Sequence, residues 1–277
     1  MAENSMAEIG PVVLVGAGKM GLAMARGWIS GGLAPERLVL VDPKPGDATI
    51  RFAQSAGVSL IDSPLGILTH VMVLAVKPQV MSQVLNQIAP AVGRQTLVIS
   101  IAAGISLAAL STGLNTQRVI RAMPNTPAQV GKGITGAVGL SISREDMELG
   151  SKLLASAGQL IWFDQESKLD AVTAVSGSGP AYVFHLVETM ALAGMRQGLD
   201  AEQAMLLARQ TVIGAAALME ADGLPAATLR ENVTSPNGTT AAALKVLMAP
   251  DRGLEALMDR AIEAARLRSE ELGHPGG

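Results

Sequence analysis

The chain has no cysteine among its 277 residues. That excludes disulfides, iron–sulfur clusters, thiolate zinc sites and a cysteine nucleophile, and it fits a cytoplasmic location. Aromatic residues make up only 2%. Alanine and glycine are abundant instead, and such small residues let helices approach one another closely. Positive charge is not in excess: the formal net charge is −3, which argues against a nucleic-acid partner held by phosphate attraction. No uninterrupted apolar run approaches the ~18–20 residues that span a bilayer, so no membrane partner is expected. The three histidines, His70, His185 and His274, lack metal-ligand spacing, so no metal site is expected. A GxSxG elbow, a P-loop and an HExxH motif are all missing, and nothing marks a hydrolase. Residues 1–10 are short, polar and acidic, unlike a secretory signal, and read as a frayed leader; residues 273–277 read as a loose tail.

What remains is a globular composition, 49% hydrophobic and 16% charged, with methionines serving as core filler. Short apolar runs at 12–15, 38–41, 71–75, 97–101 and 119–123 suit strands buried on both faces of a parallel sheet. Helical patterns lie between them, for example at 20–30 and 80–88. Two further β-like runs, 134–140 and 160–163, flank a helix that Ser143 and Asp146 open and extend the sheet. After about Gln165 the strand-like runs stop. Helical patterns follow at 180–198, at 201–221 behind the cap Asp200, at 226–231, at 240–248 and at 253–272. This predicts an α/β Rossmann domain with a doubly wound, mainly parallel sheet over residues 1–165. An all-α domain is predicted over 166–277.

The segment Gly16-Ala17-Gly18-Lys19-Met20-Gly21 follows a strand-like run and opens a helix, the context that turns GxGxxG into a dinucleotide fingerprint. Gly16 permits the tight turn, Gly18 lets backbone approach a pyrophosphate, and Gly21 lets helix pack on strand. Asp42, at the end of the next strand, suits the adenosine ribose and leans toward NADH over NADPH, with Lys44 near enough to compensate; it reads equally as a turn acid before Pro43. Ala75, Lys77 and Pro78 close the 71–75 strand, where ligands of open α/β sheets sit. Ala102 and Ala103 follow the next strand. Asn125 follows the one after, where it lines the nicotinamide slot or belongs to a loop stiffened by Pro124 and Pro127. Two small-residue segments, Ser176-Gly177-Ser178-Gly179-Pro180 and Ser235-Pro236-Asn237-Gly238-Thr239-Thr240, each precede a helix. They offer amides and hydroxyls as a cradle for a carboxylate-bearing substrate, or else ordinary caps.

In their order and spacing, the motifs Gly16–Gly21, 75–78, 100–104, 123–127, 176–182 and 235–240 resemble those of pyrroline-5-carboxylate reductases. The resemblance runs from Val12 to Leu272, and SGSGPAY with SP-x-GTT is its most specific part. It implies reduction of a cyclic imine carboxylate to L-proline with NADPH or NADH, the last step of proline biosynthesis. It implies helical domains that intertwine in a homodimer, with dimers joined in many members into larger rings. It also implies a site between the two domains. There Ser235, Asn237, Gly238, Thr239 and Ser178 bind substrate, Thr240 assists protonation of the imine nitrogen, and Asn232 lies near the nicotinamide ribose. Two positions depart from the family pattern. Asn237 replaces the first of two glycines, and asparagine tolerates the positive φ expected there. The family's Glu-His-Pro is absent, leaving Asp222 as the nearest carboxylate. A related imine or β-hydroxyacid/phosphogluconate-type dehydrogenase is the alternative enzyme. Its catalytic lysine has no counterpart in residues 181–198. A non-catalytic NAD-binding protein would need the cofactor loop and neither cradle.

Overall fold

The computed structural model describes residues 6–273. Its sheet is built from β1 (Val12–Val15), β2 (Leu38–Val41), β3 (Ser59–Ile61), β4 (Val71–Leu74), β5 (Leu97–Ser100), β6 (Val119–Met123), β7 (Gly133–Leu140) and β8 (Gly158–Trp162). Spatial order is β3-β2-β1-β4-β5-β6-β7-β8. Every pairing is parallel except β6 with β7, which the short Thr126–Val130 turn makes antiparallel. The strands alternate their side chains between two apolar layers, as a period of two requires. Val12, Leu14, Val73 and Ile99 meet Trp28 of α1 (Lys19–Ser30), Phe52 of α2 (Asp47–Ala56) and Leu153 of α5 (Arg144–Ala155). Val13, Met72, Val98 and Val119 meet Leu85 of α3 (Met81–Ile88), Leu110 of α4 (Leu107–Leu114) and Leu169 of α6 (Lys168–Val172). With helices on both faces the sheet is doubly wound, as expected. Strand β3 is three residues long and helix α4 has little apolar periodicity, so neither stands out in the sequence; α2 does carry an apolar face, with Phe52 and Ala53 buried.

The rest is helical: α7 (Gly179–Arg196), α8 (Ala201–Asp222), α9 (Ala226–Asn232), α10 (Thr239–Leu247) and α11 (Leu254–Gly273). Packing divides the chain into two compact units. One holds the described residues up to Ser178 together with those from Ala265 on; the other is Gly179–Ala264. The end of α11 therefore belongs to the sheet-bearing unit. Ser269 is buried there and donates to Asp170 at 2.7 Å, and a Cβ on Gly104 would stand 3.1 Å from the Leu272 carbonyl. In the helical unit the buried core amounts to Ala191, Ala204 and Ala208, with Val187 packed on them. Large side chains such as Phe184 and Leu206, both 64% exposed, lie outside it.

Two expectations need correction, and α8 adds a feature that the apolar runs did not show. The leader is not frayed over its second half: Met6 and Ile9 are buried in the core, the Met6 amide donates to Gly31, and Arg37 donates to the carbonyls of Ala7 and Ile9. Residues 1–5 and 274–277, with His274, lie outside the described residues. Helix α8 is long enough and, at a mean hydropathy of 1.2, apolar enough to cross a membrane. Arg209 and Gln210 interrupt its apolar side chains, so the helix holds no unbroken apolar run of membrane-spanning length. Finally, Ser176–Pro180 is not a break between helices. Residues 173–177 form a π-helical turn that continues α6 toward α7, and the Ser178 amide is already bonded to the Thr173 carbonyl at 2.8 Å. Free amides at a helix start are therefore not what this segment offers.

Candidate active site

Most cofactor candidates gather at the carboxyl ends of β1, β2, β4, β5 and β6, where an open parallel sheet leaves its strand-end carbonyls facing a crevice. Gly16 sits at φ +89°, a conformation that L side chains rarely adopt, and a Cβ there would stand 2.8 Å from the Ala75 carbonyl oxygen. Gly21 is just as constrained, since its Cβ would meet the Gly16 oxygen at 2.4 Å. Gly18 is different. A Cβ on it would meet no protein atom within 4 Å, so nothing in the protein itself calls for glycine at that position. A bound pyrophosphate approaching the start of α1 does, and the residues present thus fit a dinucleotide. Lys19 and Met20 begin that helix, which has no side-chain cap. Its first-turn amides and dipole favour an anion.

Asp42 does more than its position suggested. Its Oδ2 accepts the Ala17 amide at 3.2 Å, and its Oδ1 accepts the Lys44 amide at 3.0 Å. The carboxylate ties the glycine loop to the end of β2, so the turn role is real. A carboxylate has about four acceptor positions, which leaves capacity for a ribose hydroxyl. Thr49, which the sequence reading missed, completes the tie. It is buried, and its hydroxyl donates to the Ala17 carbonyl at 2.8 Å. Ala75 lies against both Gly16 and Gly21. Lys77 is exposed at the start of the short turn that Pro78 opens. Ala102 is buried and Ala103 half-buried beyond β5, and the Ser100 hydroxyl accepts the Ala102 amide at 3.4 Å. Asn125 is buried, and its Oδ1 accepts the Ile134 amide at 2.9 Å. The carbonyl end of that side chain is thus committed to holding β7. Ser178 is half-buried just past the π turn.

The remaining candidates lie in the helical unit. Asn232 is exposed at the last position of α9. Asn237 has φ +60°, the left-handed conformation expected of it. It turns the chain so that Gly238, whose amide bonds the Ser235 carbonyl at 3.0 Å, becomes the N-cap of α10. No side chain caps that helix. Ser235 and Thr239 are exposed and Thr240 is half-buried at its first turn. Asp222 ends α8, just before the left-handed Gly223.

A second missed group is the pair Arg121–Glu166, joined at 2.7 Å, with the arginine side chain only 9% exposed. Its signal was available: Arg121 is a lone charge inside an apolar run.

The comparisons with known proteins agree with one another. A family model described as pyrroline-5-carboxylate reductase dimerisation matches residues 166–272. One described as NADP oxidoreductase, coenzyme F420-dependent, matches residues 11–104. The pyrroline-5-carboxylate reductase of Pseudomonas aeruginosa is 40% identical over 94% of this chain and 96% of its own. That of Glycine max is 36% identical over 93% and 94%. Among solved structures, a pyrroline-5-carboxylate reductase from Coxiella burnetii is 33% identical, with a TM-score of 0.88 over 96% of this chain and 99% of that one. A pyrroline carboxylate reductase from Plasmodium falciparum with NADP bound is 28% identical, with a TM-score of 0.81 over the same shares.

Proposed function

The chain belongs to the pyrroline-5-carboxylate reductase family, and from that membership we infer that it reduces 1-pyrroline-5-carboxylate to L-proline with NAD(P)H. The observation that carries this reading is the pair of family matches within one chain, a nucleotide-binding segment followed by the reductase's own dimerisation segment. When bound, the reduced nicotinamide supplies a hydride. The residues of the chain do the rest. Gly16, Ala17, Gly18, Lys19, Met20 and Gly21 hold the pyrophosphate, Asp42 faces the adenosine ribose, and Ala75, Lys77, Pro78, Ala102, Ala103 and Asn125 border the rest of the dinucleotide, with Asn232 near its second ribose. The protonated imine is already electrophilic, so the main task is to hold the ring carbon in near-attack geometry. Ser235, Asn237, Gly238 and Thr239 do this through the substrate carboxylate, helped by the uncapped start of α10 and by Ser178. Thr240 orients the proton at the imine nitrogen.

The working molecule is a homodimer that assembles further into a ring, in the cytoplasm. In that reading the apolar surface of α8 is covered by the partner subunit rather than by lipid. Purified protein given the imine and either NADH or NADPH should form proline. Oxidation of neither nucleotide, with the imine stable in solution, would overturn the reading.

A further inference from the structure

We propose that Arg121 and Glu166 are positioning residues for the reduction: one shared carboxylate oxygen fixes the mutual placement of the three loops that border the nicotinamide end of the site. The proposal rests on the function inferred above for the choice of loops. Arg121 is the one charged residue in the eight strands among the described residues. It lies in register between Ser100 of β5 and Val138 of β7. Along the strand it alternates onto the same face as Val119, toward the apolar layer that holds Leu107 and Leu169. There its Nη1 donates to Glu166 Oε1 at 2.7 Å, and the same oxygen accepts the Leu107 amide at 2.7 Å.

Each of the three partners stands at the root of a different candidate loop. Leu107 is the first residue of α4, directly after the loop of Ala102 and Ala103. Arg121 precedes Asn125 at the end of β6. Glu166 precedes α6 and its π turn, which lead to Ser178. A guanidinium taken out of water is costly, and well-packed apolar residues of similar volume stabilise as well or better. Stability alone does not account for the pair. A carboxylate oxygen held by a guanidinium and an amide does what an apolar contact does not: it sets distances to within a few tenths of an ångström. Hydride transfer needs that, because a misplacement of about 1 Å costs on the order of 10²-fold in rate.

The test uses the full-length protein and three variants: Glu166→Asp, which keeps the charge on a shorter stem; Glu166→Gln, which keeps an acceptor for Leu107; and the apolar double variant Arg121→Met/Glu166→Met. Four quantities are measured: the thermal midpoint, the Kd for NADPH, the emission of the bound reduced nicotinamide, and imine turnover. The expected result is a Kd within about threefold of wild type, because the pyrophosphate loop is untouched. The double variant should stay folded, its midpoint lowered by no more than the loss of the Leu107 acceptor, while its kcat falls by roughly 10²-fold, with nicotinamide emission altered. Glu166→Asp should lose kcat despite its intact charge. The proposal is overturned if the double variant keeps kcat, or if kcat falls only in proportion to the midpoint. Wild-type turnover decides the functional reading separately. If wild type does not reduce the imine, unchanged nicotinamide emission in the folded variants overturns the positioning role by itself.

Discussion

At the scale of single residues, Asp42 carries two roles that a substitution can separate. Its oxygens hold the amides of Ala17 and Lys44, and its charge opposes a 2′-phosphate. Asp42→Asn keeps an acceptor and removes the charge. The NADPH to NADH ratio of kcat/KM should rise about tenfold, since ~1.4 kcal/mol is well within the ~4 kcal/mol that two charges exchange at 4 Å near a protein surface. Asp42→Ser shortens the side chain and should also weaken binding of both nucleotides; steady-state kinetics with each nucleotide distinguishes the two effects. An unchanged ratio in Asp42→Asn would leave Asp42 as a turn residue only. Thr240→Val keeps shape and removes the hydroxyl. It should lower kcat by about tenfold, the worth of one hydrogen bond of ~1.4 kcal/mol, while the Kd for NADPH stays put. Full kcat in that variant would move the role to water or to a backbone group. The glycine loop was legible at this scale because its spacing is itself the signal. Thr49 and Glu166 were not, because one threonine in a helix and one glutamate before a helix have no pattern until the chain folds back on them.

Elements tell a similar story at longer range. The buried parallel strands were legible, since a strand covered on both faces has to be apolar throughout. So was α5, whose capping box at Ser143 and Asp146 is complete: the Ser143 hydroxyl accepts the Asp146 amide at 3.0 Å, and Asp146 Oδ2 accepts the Ser143 amide at 3.1 Å. The π turn was not legible, because Ser-Gly-Ser-Gly-Pro has the composition of a loop and only the helices on either side carry it through. Asp146 also gives this element a pH dependence. Burial alone would push its carboxyl up, but the Arg118 guanidinium and the Ser143 amide outweigh that and hold it below the usual carboxylate range. A group whose folded value is depressed stabilises the fold above its unfolded value, near 3.9, and loses that contribution as pH falls toward the folded one. Asp146→Asn should therefore lower the urea midpoint at pH 7, and the gap to wild type should close in acid. A gap that does not narrow at all as pH falls would mean that shape rather than charge is at stake. Ser143→Ala should cost about 0.5–2 kcal/mol at either pH, as removal of such a cap does.

On the scale of the whole molecule, the helical unit is the part least able to stand alone. Three alanines are its buried core, while Phe184, Leu206, Ile213 and Leu218 remain exposed. A surface of that kind is normal for one half of an interface and abnormal for a free monomer. Leu206→Glu on α8 should lower the mass seen by light scattering to that of the monomer and abolish turnover, with NADPH binding by the sheet-bearing unit reduced far less. An unaltered mass would move the interface off that face, and recovery of the variant in detergent-soluble membranes would favour lipid as its cover. The path of the chain adds a constraint on synthesis. Residues 179–264 interrupt the sheet-bearing unit, whose last contacts, Ser269 on Asp170 and Leu272 on Gly104, come from the end of α11. A ribosome adding about 5–20 residues per second needs on the order of ten seconds to make that interruption. Throughout it, the crevice side of a nearly finished nucleotide-binding unit lacks its final buttress. Folding of this unit to completion before residues 179–264 emerge is therefore not open to it, since its two parts flank them in the chain.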